Sequence, residues 1–466
     1  MERLSGRILV LGLGMSGDAA ARSLACDMGA DGATSITVID SGDTPMLRGR
    51  AEALEQMGVR VLLGATDVEG EYDICVTSPG IPPHAALMKA AVAASTEIIS
   101  EIEFAFRRSS SPWIAVTGTN GKTTVTSLID HLLRSAMIPA ETVGNIGRPA
   151  IQVADMSSPG VALVAEVSSF QLANVDRFHP RVAVLLNITP DHLDWHGSLC
   201  AYARDKARMF SRMDKDDTAV IDIDDPGSSV YADEVERSGV RVVRVSRETS
   251  HPGGATIRNG RLCINREGGD LELCGVDDLR IRGAHNVSNA LAAAAAAIAF
   301  GAAPDAVSEA LTTFNPIPHR LEPVGEVAGV EYFNDSKATN PDAVLKALTA
   351  FSERPVVLML GGRNKGNRFN AVAEAAAPRC RCVVVFGEAA PEILSGFEGV
   401  DVEVRSAASM GEALEEARAC AHPGDAVVLS PACASFDEFD SYVQRGDVFR
   451  AAVARLAASN TGGASS

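Results

Sequence analysis

The chain has 466 residues, enough for roughly three domains, and its 46% hydrophobic content can supply a full core. The net charge of −18 argues against DNA, RNA or an anionic membrane as the main partner, although a local site can still bind an anionic nucleotide. The nine cysteines contain no C-x-x-C pair, which favours reduced thiols over a disulfide framework or a zinc site. The first residues lack a signal-peptide segment, and no apolar run reaches the roughly 20 residues of a membrane span. We therefore expect a monomeric cytoplasmic protein that does not insert into a membrane.

A glycine-rich turn follows the first predicted strand, residues 7–12. The turn, Gly12-Leu-Gly14-Met-Ser-Gly17, opens a predicted helix, and the next predicted strand ends in Asp40. Because this acid lies about 20 residues after the last glycine, the segment has both parts of the dinucleotide-binding fingerprint. Taken alone, the fingerprint predicts an NAD-dependent oxidoreductase. The same turn and helix N-terminus suit any diphosphate, including that of a UDP-sugar.

A second glycine turn lies between an apolar run, residues 113–116, and a segment with apolar residues at helical spacing. Its sequence is Gly118-Thr119-Asn120-Gly121-Lys122-Thr123-Thr124, and Val116 stands where the general P-loop pattern has its first glycine. Backbone N–H groups, the helix N-terminus and Lys122 can bind a polyphosphate, and the Thr123 hydroxyl can ligate Mg²⁺. The alternative is an ordinary glycine turn, which leaves Lys-Thr at the helix start unexplained.

Two further apolar runs are followed by possible metal ligands. One ends at Glu166, and the other, residues 182–188, is followed by Thr189-Pro-Asp-His192. Because the carboxyl ends of parallel strands share one edge of a sheet, we expect Glu166 and His192 beside the phosphate loop. There they could hold divalent cations that bridge ATP phosphates and a carboxylate substrate. The alternative for His192 is a structural histidine.

The order of the predicted elements indicates an α/β fold with three domains, each a largely parallel sheet with flanking helices. Residues 1–108 are predicted to be Rossmann-like, residues 109–316 to be a central P-loop-type ATPase domain, and residues 317–466 to be Rossmann-like again. In the last domain, polar loops follow the apolar runs, at residues 334–340, 361–365 and 430–439. We expect hinges near residues 109–112 and 315–318.

These motifs occur in the order typical of the Mur ligase family, which the chain resembles over essentially its whole length. Glu166-Val-Ser-Ser-Phe-Gln-Leu172 and Thr189-Pro-Asp-His-Leu-Asp194 are similar to the branch that adds D-glutamate. The Asp-Asn-Pro-Arg signature of the diaminopimelate- and lysine-adding branches is absent from the sequence. The resemblance implies an ATP-dependent ligase that adds D-glutamate to UDP-N-acetylmuramoyl-L-alanine through an acyl phosphate, releasing ADP and phosphate. Such an enzyme serves peptidoglycan synthesis, and through it cell shape and division.

The resemblance also implies residue roles. The UDP-sugar would contact Met15, Ser16, Asp40, Ser41, Gly80, Asn145 and His192. ATP would contact Gly118, Thr119, Asn120, Gly121, Lys122, Thr123, Thr124, Asn286, Arg320 and Asp335. D-Glutamate would contact Lys337, Thr339, Lys365, Ser435, Phe436 and Tyr442. At Tyr442 the family is expected to have phenylalanine, and Asn286 could instead be a helix N-cap.

The implied catalytic residues are Lys122, Glu166, His192 and Lys206. Two Mg²⁺ sites would use Thr123, Glu166, His192 and, if it is carbamylated to N6-carboxylysine, Lys206. Without the resemblance, the sequence would make Lys206 an exposed helix lysine.

Three other functions remain as alternatives. The NAD-dependent oxidoreductase would use residues 12–17 and Asp40 and would leave the phosphate loop unexplained. A non-catalytic nucleotide-binding protein would have no need for the metal-ligand pair. A folylpolyglutamate synthetase also adds glutamate, but it would not need the domain of residues 12–17.

Overall fold

The computed structural model describes residues 3–29, 32–266, 269–281, 283–315, 317–351, 354–364 and 366–462. The chain divides into two compact units, the first with Met1–Leu279 and Ser288–Thr313 and the second with Arg280–Val287 and Phe314–Ser466. The described residues form two sheets in the first unit and one in the second. Parallel strands predominate in all three sheets, which confirms the predicted fold class. The domain bounds stay a prediction.

The first sheet is parallel throughout and lies at the start of the first unit. Its strands are β1 (Gly6–Leu11), β2 (Ala33–Ile39), β3 (Arg60–Leu62), β4 (Tyr72–Thr77) and β5 (Ser95–Ser100). Its helices are α1 (Met15–Cys26), α2 (Pro45–Glu55), α3 (Ala86–Ala94) and α4 (Glu101–Arg108). The strand order is β3-β2-β1-β4-β5, so the winding direction reverses between β1 and β4. A ligand crevice is expected at the carboxyl ends of these two strands.

The second sheet completes the first unit. Its strands are β6 (Trp113–Thr117), β7 (Ala140–Gly144), β8 (Ala162–Glu166), β9 (Val182–Leu185), β10 (Thr218–Asp222), β11 (Arg241–Val245), β12 (Ala255–Arg258), β13 (Arg261–Ile264) and β14 (Leu271–Gly275). Its helices are α5 (Lys122–Ser135), α6 (Ala150–Ala154), α7 (Ser169–Leu172), α8 (Leu193–His196), α9 (Leu199–Ala207), α10 (Pro226–Arg237), α11 (Ala284–Phe300) and α12 (Pro304–Thr313), and the first residues of α11, up to Val287, belong to the second unit. The strand order is β14-β13-β12-β11-β10-β9-β6-β8-β7, parallel except where β12, β13 and β14 pair antiparallel. Because β6 lies between β9 and β8, the strand ends that carry the phosphate loop and Glu166 are neighbours.

The third sheet forms the second unit. Its strands are β15 (Glu322–Val327), β16 (Val330–Asn334), β17 (Val356–Gly361), β18 (Cys380–Phe386), β19 (Glu403–Ala407) and β20 (Ala426–Ala432). Its helices are α13 (Pro341–Leu348), α14 (Asn370–Ala376), α15 (Ala390–Gly396), α16 (Met410–Cys420) and α17 (Tyr442–Gly462). The strand order is β15-β16-β20-β17-β18-β19. Along β17, Val356 and Leu358 join the core on one face and Val357 and Met359 the core on the other, as in a sheet covered by helices on both faces.

The two edges of the third sheet differ from its centre. β15 pairs antiparallel with β16 and has a bulge between Pro323 and Gly325. On β19, Arg405 contacts the carboxylates of Glu403 and Glu416 at 2.7 and 3.2 Å. The edge strands therefore carry features that disfavour pairing with a further strand, a proline and a bulge on β15 and paired charges on β19.

Buried carboxylates fix α4, which leads from the first sheet to the second. The Glu103 side chain accepts the backbone N–H groups of Asp176, Arg177 and Phe178 at 3.1, 2.9 and 2.9 Å. It also accepts Nε of Arg107 at 2.7 Å. Glu101 accepts the N–H of Ile151 at 2.7 Å, and burial raises the pKa of Glu101 to about 7. Both acids therefore serve as caps for segments of the second sheet.

Membrane crossing would require a long, uninterrupted apolar helix. In the described part of the chain, no helix is both long enough and apolar enough to cross a membrane.

Candidate active site

The phosphate loop joins β6 to α5. Gly121 has a φ of +86°, and a Cβ there would lie 2.6 Å from Oδ1 of Asn289, so the turn requires glycine. The N–H of Asn120 donates to Oδ1 of Asn187 at 2.8 Å, which fixes the rim of the loop to the end of β9. α5 begins at Lys122. The strand, turn and helix N-terminus therefore have the order predicted for a polyphosphate site.

Hydroxyl side chains surround the start of α5. Thr123 and Thr124 are buried in its first turn. The Thr119 hydroxyl lies 3.1 Å from the phenol of Tyr202 and accepts the N–H of Thr189 at 3.0 Å. Thr119 thus ties the loop to Thr189 after β9 and to Tyr202 of α9.

Two lysines converge on one carbonyl of the loop. Nζ of Lys122 donates to the carbonyls of Gly118 and Thr119 at 2.9 and 2.8 Å, and Nζ of Lys206 donates to Gly118 at 2.8 Å. The Lys206 side chain is buried, with Nζ 4.5 Å from the centre of the Tyr202 ring. Burial lowers the pKa of Lys206 well below its ordinary value, and the charge of Lys122 lowers it further. The expectation of an exposed lysine is therefore wrong, because α9 packs its Lys206 side chain under the phosphate loop.

Glu166 ends β8 and is almost completely buried. Its Oε1 accepts Nδ2 of Asn145 at 2.8 Å. Within the described ranges, its Oε2 is buried without a hydrogen-bond partner. A buried carboxylate oxygen without a donor is costly in free energy, and a bound cation would satisfy it. Glu166 therefore fits the predicted role of a Mg²⁺ ligand.

His192 lies in the turn after β9 with a left-handed backbone, φ +52°. Its half-exposed ring contacts Phe170, with 4.7 Å between ring centres. Burial lowers the pKa of His192; Asp191 opposes this shift, and the ammonium groups of Lys122 and Lys206 add to it. His192 is thus in the field of both lysines, and its metal role stays a prediction.

The described residues contain two compact groups of metal-ligand side chains, Cys382 with Glu403 and Cys420, and His179 with Asp214 and Asp217. Neither group includes Glu166 or His192. The predicted Mg²⁺ sites at Thr123, Glu166, His192 and Lys206 therefore stay a prediction.

A cavity of about 760 Å³ opens at the carboxyl ends of β1 and β4. The predicted UDP-sugar residues that line it are Met15, Ser16, Asp40, Ser41, Gly80 and Asn145. His192, the seventh predicted contact, is not among the lining residues. A Cβ at Gly17 would lie 1.8 Å from the carbonyl oxygen of Gly12, so the helix packs on the turn only with glycine there. The cavity lies where the strand order predicts a ligand crevice.

The Asp40 carboxylate is already engaged by the backbone. Oδ2 accepts the N–H of Leu13 at 2.6 Å, and Oδ1 accepts the N–H of Gly42 at 2.7 Å. Asp40 therefore ties the glycine turn to the end of β2. Its predicted hydrogen bond to a ribose or base would use the remaining lone pairs.

In the second unit, Asp335 is buried just after β16. Its carboxylate accepts the Ser430 hydroxyl at 2.7 Å and the N–H of Leu321 at 3.2 Å. Burial raises the pKa of Asp335 to about 7. The residue thus fixes the strand end to the segment after Arg320, and its nucleotide contact stays a prediction.

Lys337 and Tyr442 form a direct pair in the same unit. Nζ of Lys337 donates to the Tyr442 phenol at 3.0 Å and lies 4.6 Å from the ring centre. Where phenylalanine was expected, tyrosine therefore adds a hydrogen-bond acceptor for the lysine. Both residues belong to the predicted D-glutamate set.

The other predicted residues of the second unit differ in exposure. Ser435 is buried, Thr339 is half-buried and Phe436 is 57% exposed. Lys365 lies outside the described residues. α11 already begins at Ala284, so the N-cap alternative for Asn286 is wrong.

Two family models match the chain. The Mur ligase middle domain matches residues 116–297, and the Mur ligase glutamate ligase domain matches residues 319–433. The chain is 41% identical to the UDP-N-acetylmuramoylalanine--D-glutamate ligase of Pelotomaculum thermopropionicum, over 97% of this chain and 98% of that protein. It is 40% identical to the protein of the same name from Salinibacter ruber, over 97% and 98%. The chain belongs to the Mur ligase family.

Solved structures of other ligases have a similar fold. A pseudomurein peptide ligase type C from Methanothermus fervidus aligns with a TM-score of 0.59 at 18% identity, over 97% of this Mur ligase and 99% of that chain. UDP-N-acetylmuramate-alanine ligase from Thermotoga maritima aligns with a TM-score of 0.57 at 18% identity, over 96% and 99%. At this identity the structures support the fold alone. Family membership makes the oxidoreductase alternative wrong.

Sequence reasoning missed His196, a fully buried histidine of this Mur ligase. Its Nδ1 lies 2.7 Å from the Asp205 carboxylate and its Nε2 lies 2.9 Å from the Ser169 hydroxyl. Its ring stacks on Phe170 at 5.5 Å. The residue therefore connects α7, α8 and α9. His196 follows His192, a residue of a predicted turn, by four residues. This spacing is the sequence signal that could have revealed His196.

Proposed function

We propose that this Mur ligase joins D-glutamate to UDP-N-acetylmuramoyl-L-alanine at the expense of ATP. The relatives that carry this name align along almost the whole chain. In the structure, the observation that carries the proposal is the convergence of Lys122 and Lys206 on the Gly118 carbonyl. The Lys122 ammonium and the helix N-terminus suit a triphosphate, and the buried Lys206 side chain lies directly beside them.

The first step is activation of the alanyl carboxylate, which is a poor acylating agent. One of its oxygens forms a bond to the γ-phosphorus of ATP, the bond to the β-phosphate oxygen breaks, and ADP leaves. The backbone N–H groups of the loop and the Lys122 ammonium stabilise the charge of the transferred phosphoryl group. Mg²⁺, if bound through Glu166 and the Thr123 hydroxyl, supplies further positive charge to the phosphate oxygens.

The second step forms the amide. The amine of D-glutamate adds to the acyl carbon, the C–O bond to the phosphate breaks, phosphate leaves with the electron pair, and the nitrogen loses one proton, which the departing phosphate can accept. The described residues proposed to contact D-glutamate are Lys337, Thr339, Ser435, Phe436 and Tyr442, with Ser435 proposed to bind a carboxylate. Lys337 is already oriented by its hydrogen bond to the Tyr442 phenol.

We propose that Lys206 acts as N6-carboxylysine. Its lowered pKa favours the neutral amine, which can add to carbon dioxide and release a proton. The product carries a negative charge beside the Lys122 ammonium, so the two side chains attract each other. The carbamate oxygens would also be suitable ligands for a divalent cation.

The cavity beside Asp40 and Asn145 is the proposed site of the UDP-sugar. Its glycine turn offers backbone N–H groups and the N-terminus of α1 to a diphosphate. Asn145 lines the cavity and also donates to Glu166, so it links the proposed sugar site to the proposed metal site. Cytoplasmic location, a monomeric state and roles in cell shape and division stay predictions.

Phosphate release from ATP tests the proposal, with UDP-N-acetylmuramoyl-L-alanine and a panel of amino acids in the presence of Mg²⁺ and bicarbonate. The expected result is release that requires both the UDP-sugar and D-glutamate. Release with another amino acid would keep the family and refute the assigned acceptor. No release with any acceptor would refute the ligase.

Two matched variants connect the activity to the site. Lys122→Ala should lower kcat by on the order of a hundredfold, because the transferred phosphoryl charge loses its cation. Lys215, a lysine that is 79% exposed, provides the control, and Lys215→Ala should match the parent. Equal activity in the two variants would contradict the role of the loop.

A further inference from the structure

The second unit contains a completely buried arginine. Arg445 lies on α17, and its guanidinium donates to the Ser336 hydroxyl at 2.9 Å and to the Ser336 carbonyl at 2.8 Å. It also donates to the carbonyls of Cys433 and Gly361 at 3.1 and 3.4 Å. Ser336 follows β16, Cys433 follows β20 and Gly361 ends β17. One side chain thus joins the carboxyl ends of three neighbouring strands.

These strand ends lead into the three loops that carry the proposed D-glutamate contacts. Among the described residues these loop contacts are Lys337, Thr339, Ser435 and Phe436, while Lys365, which follows β17 in the sequence, lies outside the described residues. Carbonyl groups just beyond the end of a strand no longer pair with a neighbouring strand, so they need another hydrogen-bond donor when they are buried. The planar guanidinium fork of arginine can serve several acceptors in fixed directions, which a lysine ammonium cannot reproduce.

The hydrogen bonds of Arg445 are made to neutral acceptors. Among the described residues, its acceptors are one hydroxyl and three carbonyl oxygens, and none is a carboxylate. Burial lowers the pKa of Arg445 to about 10, against the attraction of Asp437. A buried cation without a carboxylate partner is expensive for a purely structural contact. A positive charge beneath these loops would attract the dicarboxylate that the loops are proposed to bind.

Packing around the arginine leaves little freedom for adjustment. At Gly446 a Cβ would lie 2.2 Å from Nδ1 of His319 and 2.9 Å from Nδ2 of Asn334. At Gly362 a Cβ would lie 3.0 Å from a guanidinium nitrogen of Arg445. The start of α17 therefore packs directly against the strand ends.

The same helix turn carries Tyr442. The Ser336 hydroxyl, which accepts Nε of Arg445, donates to the Tyr442 carbonyl at 2.8 Å. The Tyr442 phenol in turn accepts from Lys337. The buried guanidinium is thus connected through Ser336 to the backbone of Tyr442, whose side chain contacts a lysine proposed to contact the substrate.

We infer that Arg445 is a positioning residue for the amino-acid site. It fixes the three loops relative to one another and orients Lys337 through Tyr442. The inference rests on the proposed function, because it takes an acidic amino acid as the ligand of these loops. It predicts that loss of the guanidinium weakens the use of D-glutamate and leaves the use of ATP and the UDP-sugar unchanged.

Steady-state kinetics of Arg445→Lys and Arg445→Ala test this inference. KM for D-glutamate should rise by at least about tenfold, while KM for ATP and for the UDP-sugar stays within about twofold of the parent. Added guanidinium ion should restore part of the lost D-glutamate affinity in Arg445→Ala, and it should not do so in the parent. Arg450→Ala is the control, because Arg450 lies on the same helix, is 39% exposed and pairs with Glu322.

Unchanged KM for D-glutamate, or an equal rise for all three substrates, would overturn the inference. If Arg445→Ala does not fold, Ser336→Ala removes only the hydroxyl between Arg445 and Tyr442 and should raise the same KM. Amide hydrogen exchange without substrate gives an independent readout, with faster exchange expected at residues 336–339 and 433–436 in Arg445→Lys. A parent that does not use D-glutamate would refute the proposed function, whereas unchanged exchange would refute the inference alone.

Discussion

Glu103→Ala tests how the first unit is held together. Glu103 is completely buried and accepts three backbone N–H groups, from residues 176–178, together with Nε of Arg107. Alanine removes every acceptor at once and leaves these donors without a partner. Water cannot reach the site without opening the packing of α4, so the penalty falls on the free energy of unfolding.

The magnitude follows from the number and type of bonds. Each lost backbone bond contributes about 1 kcal/mol, and the bond to a charged group contributes about 2 kcal/mol. Arg107 keeps its contact with Glu97 at 2.6 Å, so its charge is not left alone and the larger penalty of a broken buried pair is not reached. We expect Glu103→Ala to lower the free energy of unfolding of the first unit by about 5 kcal/mol.

Urea unfolding followed by tryptophan fluorescence measures this change. Both tryptophans, Trp113 and Trp195, lie in the first unit, and the Trp113 ring is 5.8 Å from Phe178. Glu97→Ala is the matched control, because Glu97 is 34% exposed and should cost about 1 kcal/mol. A Glu103→Ala midpoint equal to that of the control would refute the argument.

Three further predictions concern other buried groups. Burial raises the pKa of Glu101 to about 7 from an ordinary 4.5. Between these two pH values the folded state binds a proton that the unfolded state has lost. The free energy of unfolding therefore falls as pH rises from 4.5 to 7. Glu101→Gln should remove this fall in the free energy of unfolding, which amounts to up to about 3 kcal/mol. Urea unfolding at acidic and neutral pH measures it, and parallel pH dependences of the variant and the parent would contradict the argument. ¹³C-labelled bicarbonate should give a carbamate NMR signal in the parent and none in Lys206→Arg; a signal in both would exclude Lys206 as its source. Gly17→Ala should cost about 3 kcal/mol in urea unfolding because its Cβ meets the Gly12 carbonyl, while Gly14→Ala, with open space around it, should be nearly neutral. Equal losses in the two glycine variants would contradict the close packing.

The sequence was sufficient for features that depend on neighbouring residues. The apolar run before the phosphate loop forms β6, and α5 begins at Lys122 as predicted. The end of β8 at Glu166 was also predicted, because a continuous apolar run followed by an acid is typical of a parallel strand.

Features that depend on distant packing could not be predicted from the sequence. The residues around Lys206 give no sign that α9 covers the phosphate loop and buries this lysine. Arg445 is a charged residue in a polar segment and would be placed on the surface by its type, because arginine is seldom fully buried. Its acceptors come from three strands that are far apart in the sequence, and only the sheet order makes them neighbours.

The edges of the third sheet have a consequence for association between copies of the chain. An exposed strand edge can template pairing with another polypeptide, which leads to fibrils and inclusion bodies. On β15, Pro323 has no N–H to offer and the bulge bends the strand. On β19, the charged side chains of Arg405 and Glu403 would have to be desolvated by an incoming strand. This unit is therefore protected at both ends against edge-to-edge aggregation during concentration and refolding.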